Sequence, residues 1–227
     1  VPALRAWEAK RTLPEWRGKE VLAAIGIRVP QGALTRSIDE AAAVAGRIGY
    51  PAVAKAQAAA LAHKTEAGGV IVGIRDEAAL LQAWDDLHAR VARAQPGLTL
   101  DGVLVEAMAA PGLELMVGAR RDPLWGPVVL AGLGGIWVEA LGDVRLMPAD
   151  LPEDQIAAEL QKLKTAKLLN GFRGAPPTDV AAVAAIVARI GRLMLTQPEI
   201  VEIDVNPLIA YGRGDGAIAL DALIVTR

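Results

Sequence analysis

GVLVEAMAAPGLELMVGARRDPLWGPVVLAGLGGIWVEAL, residues 102–141, is the stretch on which the fold turns. Four runs within it, 102–108, 114–120, 126–132 and 136–141, are apolar, rich in Val and Leu, and too short for ordinary helices, so they predict strands. The links between them are only a few residues long. A parallel crossover takes about a dozen residues or more, so these neighbours must pair antiparallel.

Working outward, apolar residues at helical spacing predict helices over 15–25, 38–48, 77–94, 152–163 and 179–195. Further strands are expected at 51–55, 69–74, 199–208 and 217–225. Helices and antiparallel strands mixed in this way define an α+β class, not a repeating βαβ sheet. QPGLTLDG (95–102) gathers Pro, Gly and polar residues after a helix and marks a division near Leu100. The expected organisation is a linker or N-terminal extension at 1–12, one lobe at 13–100 and a second at 101–227. RGAPPTD (173–179) is read as an internal loop, with Thr178 or Asp179 placed to cap the helix that follows. The five tryptophans, Trp7, Trp16, Trp84, Trp125 and Trp137, are expected to pack against helix or strand faces.

The 227 residues, 53% of them hydrophobic, suffice for two lobes with their own cores. A net charge of -2 from interspersed acids and bases gives no positive field for nucleic acid. The most apolar stretch, 127–142, is broken by glycines and Glu139, unlike a membrane span. With no cysteine, the chain has no disulfides, thiolate catalysis or Cys-based metal site, which suits a cytoplasmic location. The first residue is Val rather than Met, which leads us to expect a trimmed subunit or a domain cut from a longer chain.

Chemistry concentrates in two places. KAQAAALAHKTEAGG (55–69) runs from a strand end through a polar loop into the next strand. Lys55 can offer a fixed positive charge, and Gly68 and Gly69 let backbone amides approach an anion closely. His63 sits in the same loop, where a neutral imidazole can attack phosphorus; the plainer reading is a surface hairpin with an idle histidine. His88, in a polar helical run, is read as idle. In EIDVN (202–206), Glu202, Asp204 and Asn206 alternate and so share one face of a strand. A hairpin through YGRGDG (211–216) brings Asp221 opposite that face, giving the oxygen ligands that Mg²⁺ takes when phosphate and water complete its shell. GLGG (132–135) lacks dinucleotide-fingerprint spacing, and no GxxxxGK[ST] occurs, which disfavours Rossmann and P-loop sites.

Together these segments resemble the nucleotide-binding part of ADP-forming acyl-CoA synthetases, a branch of the succinyl-CoA synthetase superfamily with the ATP-grasp fold. The resemblance runs from about Leu13 to Ile224 through GYPAVAK, AHKTEAGGV, GVLVEAM, ELMVGARRDPLWGPVV, GLGGIWVE, GFRGAPP and EIDVNPL. It implies two α+β lobes with the nucleotide between them, and ATP and Mg²⁺ as cofactors. By the same resemblance Lys55 contacts the nucleotide, and Gly68 and Gly69 close over its phosphates. Glu106, Ala107 and Met108 hydrogen-bond adenine, and Glu114 binds the ribose. Asn206 and Asp221 hold the metal, with Asp204 close by in support. His63 resembles the loop histidine that carries phosphate to a distant CoA-ligase site. The loop departs from many relatives in having Ala58 and Ala60 where they have Ser and Asp.

No CoA-binding Rossmann domain and no second phosphohistidine domain is recognisable, so the resemblance implies partner domains or a partner subunit carrying both. Two other readings stay open on the sequence: an ATP-grasp carboxylate–amine ligase, which needs no phosphohistidine, and a non-catalytic nucleotide sensor.

Overall fold

Every strand pairing among the described residues is antiparallel. The structure is a computed structural model that describes residues 11–58, 61, 64, 67–135 and 142–227. The chain divides into two compact units, Pro30–Ala110 and the remainder up to Val29 with Pro111–Arg227. The break thus falls after Ala110, not near Leu100. The reason is pairing: β5 (Gly102–Ala107) lies between β2 (Gly32–Thr35) and β3 (Ala52–Gln57), making it a central strand of the smaller unit. Helix α1 (Glu15–Ala24), conversely, belongs with the larger unit.

The smaller unit is a four-stranded sheet in the order β2-β5-β3-β4, closed by β4 (Val70–Ile74). Helices α2 (Ile38–Ile48) and α3 (Glu77–Ala94) pack on one face of it. Ser37 and Asp76 cap them, accepting from the amides of Glu40 at 3.2 Å and Ala79 at 2.8 Å. Such caps are worth about 1 kcal/mol each. Ala54, Ala56, Val103 and Val105 meet Val44, Leu80, Leu87 and Val91 in a core of small strand residues and larger helix residues. Lys55 and Glu106 alternate with these strand positions and occupy the opposite face.

The larger unit is a seven-stranded sheet: β1 (Arg11–Thr12), β11 (Leu223–Thr226), β9 (Ile200–Ala210), β6 (Leu113–Asp122), β7 (Gly126–Leu133) and β8 (Val144–Pro148) in spatial order, with β10 (Ala217–Ala219) also on β9. Helices α4 (Glu153–Leu160), α5 (Ala166–Leu169) and α6 (Val180–Thr196) complete it. Leu115, Val117, Val129, Ile203 and Val205 bury against Ile156, Leu160, Val187, Ile190 and Met194. Each buried Leu or Ile contributes roughly 1.5–3 kcal/mol. Arg121 fastens the end of α6 to the start of β9: Nη2 donates to the carbonyls of Met194 and Gln197, and Nε to that of Ile200. It satisfies carbonyls that a helix end leaves open.

The helix expected to reach Leu163 ends at Leu160. No glycine or proline stops it. The chain tightens instead, the amides of Lys162 and Leu163 donating to the carbonyls three residues back, Glu159 and Leu160, and the Asp143 carboxylate takes the next ones, the amides of Lys164 at 3.0 Å and Thr165 at 2.8 Å, with the Thr165 hydroxyl at 2.5 Å. Strands β1, β2 and β8 add to those expected, and the strand expected at 136–141 lies outside the described residues. The run at 217–225 divides into β10 and β11.

The tryptophan reading needs one correction. Trp125 is 82% exposed and Leu124 90%, at the tip of the β6–β7 hairpin, beyond the reach of the core. The turn is held by Asp122, whose carboxylate accepts both their amides, at 2.9 and 3.0 Å. Trp16 and Trp84 are half-buried; Trp7 and Trp137 lie outside the described residues. His88 packs on its own helix, its Nδ1 2.8 Å from the Trp84 carbonyl and its ring tilted against that indole. Among the described residues no helix is long and apolar enough to cross a membrane.

Candidate functional site

In the larger unit, alternation along β9 buries Ile203 and Val205 and turns Glu202, Asp204 and Asn206 to the other face. Asp204 stands between Gly118 of β6 and Leu223 of β11, neither of which carries a polar side chain. Its Oδ1 is consequently buried with no hydrogen-bond partner. Burial, then the negative charges of Asp221 and Glu202, push its carboxyl above the usual carboxylate range. An unpaired buried carboxylate oxygen beside a second carboxylate costs stability. A cation would relieve both causes.

Asp221 reaches this place through strand register. Ala219 pairs with Leu208 and Leu223 with Asp204, so one register runs through both short strands and sets Asp221 opposite Asn206. On the other side of β9 the pairing with β6 slips between Leu115 and Val117, leaving Asn206 and Pro207 as a bulge. Proline has no amide to give to the ladder, and bulges re-aim side chains where strands bear functional groups. The sequence-predicted set Asp204, Asn206 and Asp221 is thus on one face. Among the described residues no three His, Cys, Asp or Glu side chains group as a metal cage. Two carboxylates and an amide oxygen nevertheless suit Mg²⁺, which keeps water and phosphate for its remaining positions.

Glu114 lies exposed on the same sheet, on β6, with Gly135 packed close: a Cβ there would stand 3.1 Å from Glu114 Oε2. Its carbonyl accepts the Gly134 amide at 2.8 Å, so the GLGG turn is fastened to this strand.

In the smaller unit, Lys55 is the lone charge in AVAKAQ and Glu106 the lone charge in GVLVEA. Val53 pairs directly with Glu106, so Lys55, two residues on, meets it diagonally. Nζ and Oε2 are 3.2 Å apart, with the side chains 11% and 3% exposed. The sequence reading took the two residues separately and missed the pair. Beyond Glu106, the Ala107 amide donates to the Gln31 carbonyl at 2.8 Å and the Met108 amide to that of Pro51 at 3.0 Å. These two amides of the segment expected to face adenine are engaged within the smaller unit.

The loop after Lys55 is closed at its base. The Ala56 amide donates to the Gly69 carbonyl, and the Gly69 amide to that of Lys64, both at 2.7 Å. Gly68 has φ +68, a left-handed conformation in which a Cβ is strained. His63 lies outside the described residues, as does Ala60.

Comparison with known proteins decides the family. The model of the ATP-grasp domain family matches residues 5–226. The chain belongs to the ATP-grasp family. This ATP-grasp chain is 44% identical over its whole length to a trans-feruloyl-CoA synthase from an unknown prokaryotic organism, of which it spans 32%. It is 38% identical to the beta subunit of ADP-forming acetate–CoA ligase I of Pyrococcus furiosus, covering 97% of this chain and 94% of that subunit. Among solved structures, acetyl-coenzyme A synthetase 1 of Ca. Korarchaeum cryptofilum, in complex with coenzyme A and Ca-AMPCP, superposes with a TM-score of 0.92 at 37% identity, covering 96% of this chain and 94% of that one. The same synthetase with Mg-AMPPCP, its phosphohistidine segment pointing towards the nucleotide binding site, gives 0.83 at 35% identity, covering 96% and 93%. The α+β ATP-grasp architecture is therefore both seen in the strands and shared with these relatives.

Proposed function

We propose that this chain is the ATP-using part of an ADP-forming acid–CoA ligase, binding ATP with Mg²⁺ and passing the γ-phosphoryl group to a histidine. The observation that carries this reading is the unpartnered, buried Asp204 oxygen beside Asp221 and Asn206 in an ATP-grasp chain. Asn206 and Asp221 would hold the metal, with Asp204 behind them. Bound there, Mg²⁺ would neutralise charge on the β- and γ-phosphates during transfer. Lys55 would meet phosphate oxygens, Gly68 and Gly69 would close over them, and Glu114 would take the ribose.

The imidazole of His63, or of a histidine on a partner domain, attacks the γ-phosphorus. A nitrogen–phosphorus bond forms, the bond to the bridging oxygen breaks, and ADP leaves with that electron pair. A carboxylic acid then takes the phosphoryl group as an acyl phosphate, and the thiol of CoA displaces phosphate to give acyl-CoA. These later steps fall to CoA-binding and phosphohistidine-bearing partners, fused or separate. Relatives of both arrangements support that division of labour: the chain matches nearly all of a beta subunit and about a third of a longer synthase. The absence of cysteine suits the cytoplasm as the place of action.

The test is incubation with ATP labelled on the γ-phosphate, together with the partner domains. An acid-labile, base-stable protein label that disappears in His63→Ala supports the relay through His63. Turnover of ATP with no protein-bound phosphate at any time contradicts it and points to a carboxylate–amine ligase. Nucleotide binding without turnover points to a sensor.

A further inference from the structure

We propose that Glu106 is a positioning residue for Lys55, its carboxylate fixing the direction of the ammonium, and that it makes no contact of its own with adenine. The inference rests on the reading that this chain binds ATP and changes the role that the sequence resemblance gave Glu106.

Burial separates the two members of the pair. The Glu106 side chain is 3% exposed and that of Lys55 11%, so the lysine is the more open member. A carboxylate so enclosed can influence a ligand chiefly through the group it holds.

Backbone and sterics lock Glu106 in this orientation. Gly32 of β2 stands directly opposite it. A Cβ at Gly32 would lie 2.3 Å from the Val105 carbonyl oxygen and 2.8 Å from both Cα and Cγ of Glu106. The stem of Glu106 therefore occupies the space that any side chain at position 32 would take. The next two residues are tied on both sides, Ala107 to Gln31 and Met108 to Pro51, so the backbone that carries the Glu106 side chain is held in place. Gly32, with no Cβ, is what admits the pair.

The experiment compares Mg²⁺–ATP with adenosine, which lacks phosphate, as probes of the full chain, using calorimetry for ATP and ligand-observed NMR for adenosine. If Glu106 acts through Lys55, Glu106→Gln weakens ATP about tenfold or more. Adenosine affinity then stays within about twofold of wild type, because the phosphate-facing charge alone has been disturbed. Lys55→Met shows the same pattern, and the double variant is no weaker than the worse single one, the signature of two residues acting as one. Equal losses for ATP and adenosine in Glu106→Gln overturn the proposal in favour of an adenine contact, and an unchanged ATP affinity overturns it outright. Where Glu106→Gln does not fold, Lys55→Met with Glu106→Leu replaces the pair by apolar residues that a buried site tolerates. Wild-type adenosine affinity in that variant supports the proposal and its loss refutes it. A wild-type chain that binds no ATP removes the functional reading beneath it as well, an outcome distinct from the loss of adenosine in the variant alone.

Discussion

Asn206 and Asp221 stand opposite each other because the Ala219–Leu208 and Leu223–Asp204 pairs, on either side of the break at 220–222, share one register. Fourteen residues of chain and a hairpin separate them, yet the pairing on either side fixes their alignment. Asp204, on the same face, has cross-strand partners without a polar side chain. The face therefore carries an electrostatic strain in the free protein, a buried carboxylate oxygen with no hydrogen-bond partner beside two further carboxylates.

That strain predicts a gain of stability on neutralisation. Burial first, then Asp221 and Glu202, raise the Asp204 carboxyl, so carrying its charge costs free energy in the folded chain. Asp204→Asn should stabilise the nucleotide-free protein by roughly 0.5–1 kcal/mol while weakening Mg²⁺–ATP binding. Urea unfolding at pH 7, without metal, measures it. A loss of stability would mean that Asp204 is satisfied in the free protein.

Asp143 predicts the opposite. Burial acts to raise its carboxyl, but the Thr165 hydroxyl, the amides of Lys164 and Thr165 and the Lys164 charge outweigh it and bring the net shift below the usual range. A lowered carboxyl in the fold contributes stability that is full above its unfolded value, near 3.8, and is lost as pH falls through the folded value. Asp143→Asn should cost about 1–3 kcal/mol at pH 7. The gap between wild type and variant should shrink progressively below about pH 4. A gap that stays constant down to pH 2 would show that the charge is irrelevant to the contact.

Trp125 is predicted to be energetically silent in the isolated chain. Replacing it by Ala should change unfolding free energy by less than about 0.5 kcal/mol. It should also lower the acrylamide-quenchable fluorescence relative to wild type, since this indole is 82% exposed. A substantial loss of stability would place the indole against protein.

How far the sequence alone reached can be judged from these residues. Period-two alternation placed Glu202, Asp204 and Asn206 on one face, and the YGRGDG turn made Asp221 their neighbour, because both are local consequences of strand geometry. The ends of elements were less legible: α4 gives way to a tightened turn, after which the Asp143 side chain, from a distant part of the chain, takes the backbone amides. Strand β2 is only four residues long and carries Gly32 where strand propensity is lowest, so its pairing with β5, and with it the break after Ala110, could not be read from periodicity. Trp125 looked like a packing residue because sequence shows its apolar character but not that the strands end beneath it. The Lys55–Glu106 pair did have a signal, a single opposite charge in each of two otherwise apolar strands, which predicts mutual neutralisation if those strands are adjacent.

The most direct test of the account is the coupling between Mg²⁺ and ATP at the Asn206–Asp221 face. Calorimetric titration of ATP should show affinity in the wild type that rises with Mg²⁺. In Asp221→Ala and Asn206→Ala the affinity should fall about tenfold or more, with most of the Mg²⁺ dependence gone. Wild-type affinity and an unchanged Mg²⁺ dependence in both variants would contradict the assignment of this face to the metal.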